Sequence, residues 1–173
     1  MGGDRDEREF TDFYRATYQR TVATVCAVVG QLQEAEELTQ EAYCRALRRW
    51  TTVSRYEVPE AWVRRVAVNL ALSARRRVQR RAVLLLAMGR PEPVPALSVD
   101  RVALMEALQA VPMRYRAAIV LHHVVDLPVD EVAAELGVSV NTVKTWLRRG
   151  RAALSGLLDD DNDGTERGVV HAH

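Results

Sequence analysis

The chain has 173 residues and a mass of 19.4 kDa, room for one medium domain or two small ones of roughly 60 to 80 residues each. Apolar residues make up 48% and charged residues 27%, a globular composition that excludes collagen-like and wholly disordered chains. The net charge of +1 conceals two basic blocks: residues 61–90 hold eight Arg and no acid, and residues 136–158 hold Lys144, Arg148, Arg149 and Arg151 and no acid.

The longest apolar run, 82–88, is far short of the roughly 20 residues that span a bilayer. The opening residues are acidic, where a signal peptide is basic and then apolar, so the expected location is the cytoplasm. Cys26 and Cys44 have no second cysteine pair or histidine cluster beside them. Both are expected to be small buried hydrophobes, and no metal site is expected.

Along the chain, Phe10, Phe13, Tyr14, Val22, Val25, Val28 and Val29 recur at three- and four-residue steps, predicting a helix over about 8–29 stopped by Gly30. A second helix follows over about 35–50. Its apolar stripe is Ala35, Leu38, Ala42, Ala46 and Trp50, with Tyr43 and Leu47 beside it, and its polar side carries Glu36, Glu37, Gln40, Glu41, Arg45 and Arg48. Residues 51–58 break the period and read as a loop. Pro59 suits the first turn of a third helix, which bears Trp62, Val66, Leu70 and Ala74, runs into Arg75, Arg76 and Arg77 and continues less regularly to 88. Trp50 and Trp62, both on apolar stripes, are expected in the core.

Residues 88–97 hold three of the six prolines and read as a linker. Eight of the ten aromatics precede residue 63, so the two halves are expected to have different cores. Beyond the linker, Ser98 is suited to cap a helix with Val102, Met105 and Leu108, and Pro112 to open another through Ala118, Leu121 and Val125. No segment alternates like a strand, and the fold class is all-α.

The most specific local signal is 132–147, which reads as a helix-turn-helix. Ala133 supplies the small contact residue, Gly137 the left-handed turn position, Ser139 the cap, and Val143 and Leu147 the inward apolar positions. Asn141, Thr142, Lys144, Thr145, Arg148 and Arg149 then project outward, a mixture suited to base edges and phosphates in a major groove. In the first half, an acid-rich helix precedes a helix with an acid-free, arginine-rich face bearing Asn69. That pattern alone is also compatible with a solvated face or with an anionic membrane surface.

Taken together, the stretches 34–50 (EAEELTQEAYCRALRRW), 59–69 (PEAWVRRVAVN) and 142–151 (TVKTWLRRGR) resemble a bacterial extracytoplasmic-function (ECF) sigma factor in order and spacing over roughly residues 10 to 158. The resemblance implies two small helical domains joined by a Pro-rich linker: a sigma-2-like domain over 8–87, a linker over 88–97, a sigma-4-like helix-turn-helix domain over 98–158, and a disordered acidic tail over 159–173. It implies that Glu37, Gln40, Glu41, Arg45 and Arg48 meet the β′ clamp helices of core RNA polymerase, with the β flap as a second polymerase contact. It further implies that Arg55, Tyr56, Arg64, Arg65, Asn69, Arg75, Arg76 and Arg77 hold the melted −10 element. The −35 duplex would fall to Ser139, Asn141, Thr142, Lys144, Thr145, Arg148 and Arg149, with Arg114 and Arg116 clamping phosphates. Such a protein partners promoter DNA and sits on the nucleoid when in holoenzyme, and an anti-sigma factor is a further partner that the resemblance implies.

Two departures stand out: Thr145-Trp146-Leu147 where many members have Ser-Arg-Leu, and Gly150 for the commoner Ala, expected to loosen the helix by ~1 kcal/mol. The tail 159–164 imitates the opening of a calcium loop, but its twelfth position is Val170, so no metal is expected. No nucleophile, base and orienter set is visible, so neither enzyme activity nor a cofactor is expected. The rival reading is a free-standing helix-turn-helix regulator whose first half dimerises or senses a ligand.

Overall fold

The computed structural model describes residues 2–82 and 107–165, with side chains described for 5–77 and 107–155; every regular element among them is helical. The linker 88–97 and the helix expected to start at Ser98 lie outside the described residues, apart from a last helical turn over 107–110.

Helix α1 (Gly2–Val29) begins earlier than its apolar stripe, since acids near an N-terminus favour the helix dipole. It ends at Gly30, whose φ of +89° only glycine adopts readily and whose N–H bonds Cys26 O at 2.8 Å. Helix α2 (Leu32–Leu47) stops three residues short of the expected end. The chain turns at Arg48 and Arg49, and Trp50 opens a separate short helix, α3 (Trp50–Val53). Tertiary packing outweighs the α2 periodicity here: Trp50 is buried with its ring 5.0 Å from Phe13 and 5.2 Å from Phe10. Three residues of the expected loop, 51–53, are therefore helical. Helix α4 (Pro59–Ala82) starts on its proline as expected.

The second half opens with α5 (Met113–Ile119), which widens into a π-helical turn (Val120–Val124) closed by Val125 N–H to Val120 O at 3.0 Å. Asp126 at φ +62° then reverses the chain. Helices α6 (Val129–Leu136) and α7 (Val140–Thr165) form the helix-turn-helix. Gly137 takes the left-handed conformation at φ +66°, and Ser139 Oγ accepts the Thr142 N–H at 3.1 Å. Helix α7 runs seven residues into the segment expected to be a structureless tail, because no proline interrupts it and extending a formed helix is cheap. Residues 166–173 lie outside the described residues.

Two cores form. The first packs α1, α2, α3 and α4 around Val25, Tyr43, Trp50, Val53, Val63 and Ala67. Tyr43 is 2% exposed and its phenol shares hydrogen bonds with Thr17 (2.7 Å) and Thr21 (3.2 Å). The second gathers Val111, Leu121, Val132, Leu136, Val143 and Leu147, and it includes Ala27, Val28 and Val68 of the first half.

Cys44, Leu47 and Gly150 differ from expectation. Cys44 is exposed while Cys26 is buried, because Cys44 falls between the stripe and the polar side of α2. Leu47, expected beside the α2 stripe, is 51% exposed where the chain turns away. A Cβ at Gly150 would sit 2.6 Å from Ile119 Cδ1, so this glycine permits close packing of α7 on α5 instead of merely loosening the helix.

Candidate nucleic-acid and polymerase interface

Three polar faces follow from these helices. On α2, burial of Ala35, Ala42 and Ala46 turns Glu37, Gln40, Arg45 and Arg48 to solvent. Glu41, half-buried, takes the Arg45 Nε–H at 2.8 Å, and Glu37 accepts a hydrogen bond from Gln33 at 3.2 Å. These are solvated pairs that contribute little to the fold, leaving the face available to a partner. Glu34, deeper in the surface, has its carboxyl pushed up by burial.

On α4 and the loop before it, Arg55, Tyr56, Arg65, Arg75, Arg76 and Arg77 are exposed. Between α2 and α4 two adjoining hollows of ≈ 380 and ≈ 290 Å³ share Arg45, Trp62 and Val66. Arg48 and Arg49 complete one; Arg65, Asn69, Leu70 and Ser73 complete the other. Trp62 is thus a half-buried wall, not a core residue like Trp50, because the first turn of α4 lies at the rim. An indole beside four guanidiniums and an amide matches what an unstacked base and its phosphates require.

Arg64 and Asn69 are placed differently. The Arg64 guanidinium forms an ion pair with Glu135 of α6, the two side chains 11% and 10% exposed. Asn69 Nδ2 donates to Arg65 O and to Glu135 O, both at 2.9 Å. The sequence reading assigned Glu135 no role; its position between Ala133 and Leu136 on the buried side of α6 was the available signal.

On α7, Val143 and Leu147 are buried, and Asn141, Lys144, Arg148 and Arg149 are exposed. Thr145 Oγ1 donates to Asn141 O at 2.9 Å, Thr142 joins the Ser139 cap, and both threonines are half-buried. Trp146 packs near Tyr115, ring centroids 6.4 Å apart. The Tyr115 hydroxyl accepts from Arg149 (3.3 Å) and from Arg114 (2.9 Å), whose guanidinium also lies 4.7 Å over the ring. These two cations hold the phenol pKa below its ordinary value.

Arg116 does not join Arg114 on the surface. It is 6% exposed, and its guanidinium donates to Val28 O (2.8 Å), Gln109 O (2.8 Å), Val111 O (2.9 Å) and the Gln109 side-chain carbonyl. Burial lowers its pKa to about 10, with repulsion from Arg75 adding to the effect. Two positions, about half a turn of helix, separate facing solvent from facing α1, and the residue types alone do not reveal which arginine turns inward.

Among the described residues no group of three His, Cys, Asp or Glu is placed to hold a metal, and no helix is long and apolar enough to cross a membrane.

Two family models match in chain order: Sigma-70 region 2 over residues 13–81 and Sigma-70 region 4 over residues 101–154. The chain is 29% identical over 153 residues to an RNA polymerase sigma-E factor of Streptomyces antibioticus, covering 87% of this chain and 85% of that protein. It is 34% identical over 140 residues to the ECF RNA polymerase sigma factor SigE of Mycolicibacterium smegmatis, covering 75% of this chain and 53% of that protein. Among solved structures it resembles the sigma factor RpoE of Bartonella quintana, crystallised with the anti-sigma factor NepR. The TM-score is 0.72 at 20% identity, over 88% of this chain and 98% of that one. It also resembles CnrH in complex with the cytosolic domain of CnrY (TM-score 0.59, 25% identity, 90% of each chain). A free-standing regulator does not account for the region 2 match. With both regions present in order and relatives of the same kind spanning most of its length, the chain belongs to the ECF sigma factors of the sigma-70 superfamily, promoter-recognising subunits of RNA polymerase.

Proposed function

We propose that the three faces divide the work of initiation. Glu37, Gln40, Glu41, Arg45 and Arg48 on α2 dock on the β′ clamp helices, and the second half lies against the β flap. Arg55, Tyr56, Arg64, Arg65, Asn69 and Arg75 to Arg77 take the non-template strand of the melted −10 element, with the Trp62 groove receiving an unstacked base. Asn141, Lys144 and Thr145 read the −35 duplex, Ser139 and Thr142 hold the start of that helix, and Arg114, Arg148 and Arg149 take phosphates. The sigma-2-like unit spans 8–87 and the sigma-4-like unit 98–158, joined by 88–97. The protein works in the cytoplasm, on the nucleoid when in holoenzyme, and performs no catalysis of its own.

The observation that carries this reading is the pairing of two basic surfaces on separate units with an acid-bearing α2 face beside them. Melted DNA needs the first type of surface and a basic polymerase helix the second. Because RpoE was crystallised with the anti-sigma factor NepR, and CnrH with the cytosolic domain of CnrY, an anti-sigma factor is proposed here also.

The test is the double variant Glu37→Lys, Glu41→Lys. It should retain the helical circular dichroism of the wild type and lose core-polymerase binding and run-off transcription. Normal run-off transcription by this variant would overturn the docking assignment.

A further inference from the structure

We infer that Tyr115 is the positioning residue of a phosphate clamp: its hydroxyl holds Arg114 and Arg149 together so that both grip one backbone phosphate of the −35 duplex. This rests on the −35 reading above and adds to it which side chains share a phosphate and what aligns them.

The phenol is a point where α5 and α7 meet. Arg114, on α5, donates to the Tyr115 hydroxyl at 2.9 Å and lies 4.7 Å over the ring, and Arg149, on α7, donates to the same oxygen at 3.3 Å. The tyrosine is 8% exposed, whereas both arginines face solvent. The two departures from the family pattern build this seat. The Trp146 ring packs 6.4 Å from the Tyr115 ring, and a Cβ at Gly150 would come within 3.3 Å of Tyr115 Cβ, so the bare glycine lets α7 approach α5 at this residue. A ring held on two sides keeps its hydroxyl in one place.

The arrangement suits an anion. A phenol is neutral and offers two lone pairs, and among the described residues neither Arg114 nor Arg149 forms an ion pair with a carboxylate. Two cations therefore converge on one uncharged oxygen, and their field already holds the phenol pKa below its ordinary value. Each guanidinium uses one N–H group on the phenol and has others left for phosphate oxygens, whose charge offsets the repulsion that the phenol cannot. Arg149 lies one helical turn beyond Thr145 on the same side of α7, so the gripped phosphate adjoins the bases that Thr145 faces and fixes the register of this helix in the groove. Because both arginines are held before DNA arrives, less side-chain freedom is lost on binding.

The test uses holoenzyme reconstituted with the full-length chain. It selects its preferred −35 sequence from a randomised duplex library, and phosphate-ethylation interference on that duplex maps the phosphates it needs. Arg114→Ala and Arg149→Ala should each relieve interference at the same single phosphate. The double variant should flatten the salt dependence of binding by about one unit in all, against about two if each arginine held a phosphate of its own. Tyr115→Phe keeps the ring beside Trp146 and Gly150 and removes only the hydroxyl. It should weaken interference at that phosphate alone and lower affinity about fivefold. Added to the Arg114→Ala, Arg149→Ala background, it should change affinity less than about twofold, since it acts through those two side chains. Interference relieved at two different phosphates, or Tyr115→Phe binding as the wild type does, would overturn the clamp. An equal loss from Tyr115→Phe in both backgrounds would make the phenol a structural residue and overturn its positioning role. Lys144→Ala separates the clamp from the wider reading. If it alters the selected −35 sequence while the arginine variants fail these tests, α7 reads the duplex and the clamp is wrong; if neither it nor the arginine variants affect binding, the −35 reading fails and takes the clamp with it.

Discussion

The two cores are built on different chemistry, and the difference shows how the halves depend on each other. In the first half, Phe10, Phe13, Tyr14, Tyr18, Tyr43 and Trp50 form a connected ring cluster; the Tyr14–Tyr18 centroids lie 4.7 Å apart and the Tyr14–Tyr43 pair 5.1 Å. Large rings fill space with few residues, and this core closes almost wholly on its own helices, with Met113 packed at its edge. The second core is Val, Ala and Leu with one aromatic pair, and to complete itself it takes in Ala27, Val28 and Val68 and packs on Leu72 of the first half. The first unit is therefore the platform, and the second completes its core by leaning on it.

The largest effect that would break this comparison is Tyr43→Ala. Loss of a fully buried ring should destabilise the first unit by ~3–5 kcal/mol, followed in denaturant by fluorescence of Trp50 and Trp62. Because the second unit leans on the first, a Trp146 fluorescence transition should move down with it. A second transition left at its wild-type midpoint would show the cores to be independent.

In the second unit, Gly150→Ala forces a methyl against Ile119 and should destabilise by ~1–3 kcal/mol, the opposite of the gain expected from helix propensity alone. A rise in denaturation midpoint would show that α5 and α7 are not in close contact there. Ser139→Ala removes the α7 cap and should lower stability by ~1 kcal/mol, read from the same Trp146 transition.

The smallest effect concerns pH. Burial, His122 and Arg151 push the His123 pKa below its ordinary value, so the unfolded chain holds this proton more firmly than the folded one. The contribution of His123 is fully present above pH ~6.5 and is lost as the pH falls through the lowered value. Acidification should therefore destabilise the second unit, and His123→Gln should flatten that slope in melts taken across this range. An unchanged slope would place the titration on another group.

What the sequence made legible was local. The Pro59 start, the Gly30 stop, the Gly137 turn and the Ser139 cap are each fixed by the stereochemistry of one residue, and each is found where its residue type requires. The inward positions Val143 and Leu147 follow from helical period. The break between α2 and α3 was not legible, because Trp50 obeys the α2 stripe and leaves it only to meet rings some forty residues earlier in the chain. Arg114 and Arg116 are alike as residues, and their opposite placement is decided by Val28 and Gln109. Glu135 draws no role from the sequence, since its partners, Arg64 and Asn69, lie 71 and 66 positions away.

The central claim is that α4 holds melted promoter DNA through Arg65 and Asn69, and permanganate footprinting of unpaired thymines tests it most directly. Holoenzyme carrying Arg65→Ala and Asn69→Ala should bind core polymerase as the wild type does and give a weakened or absent footprint over the −10 region. A wild-type footprint from that double variant would contradict the account and return the basic face of α4 to a solvated surface.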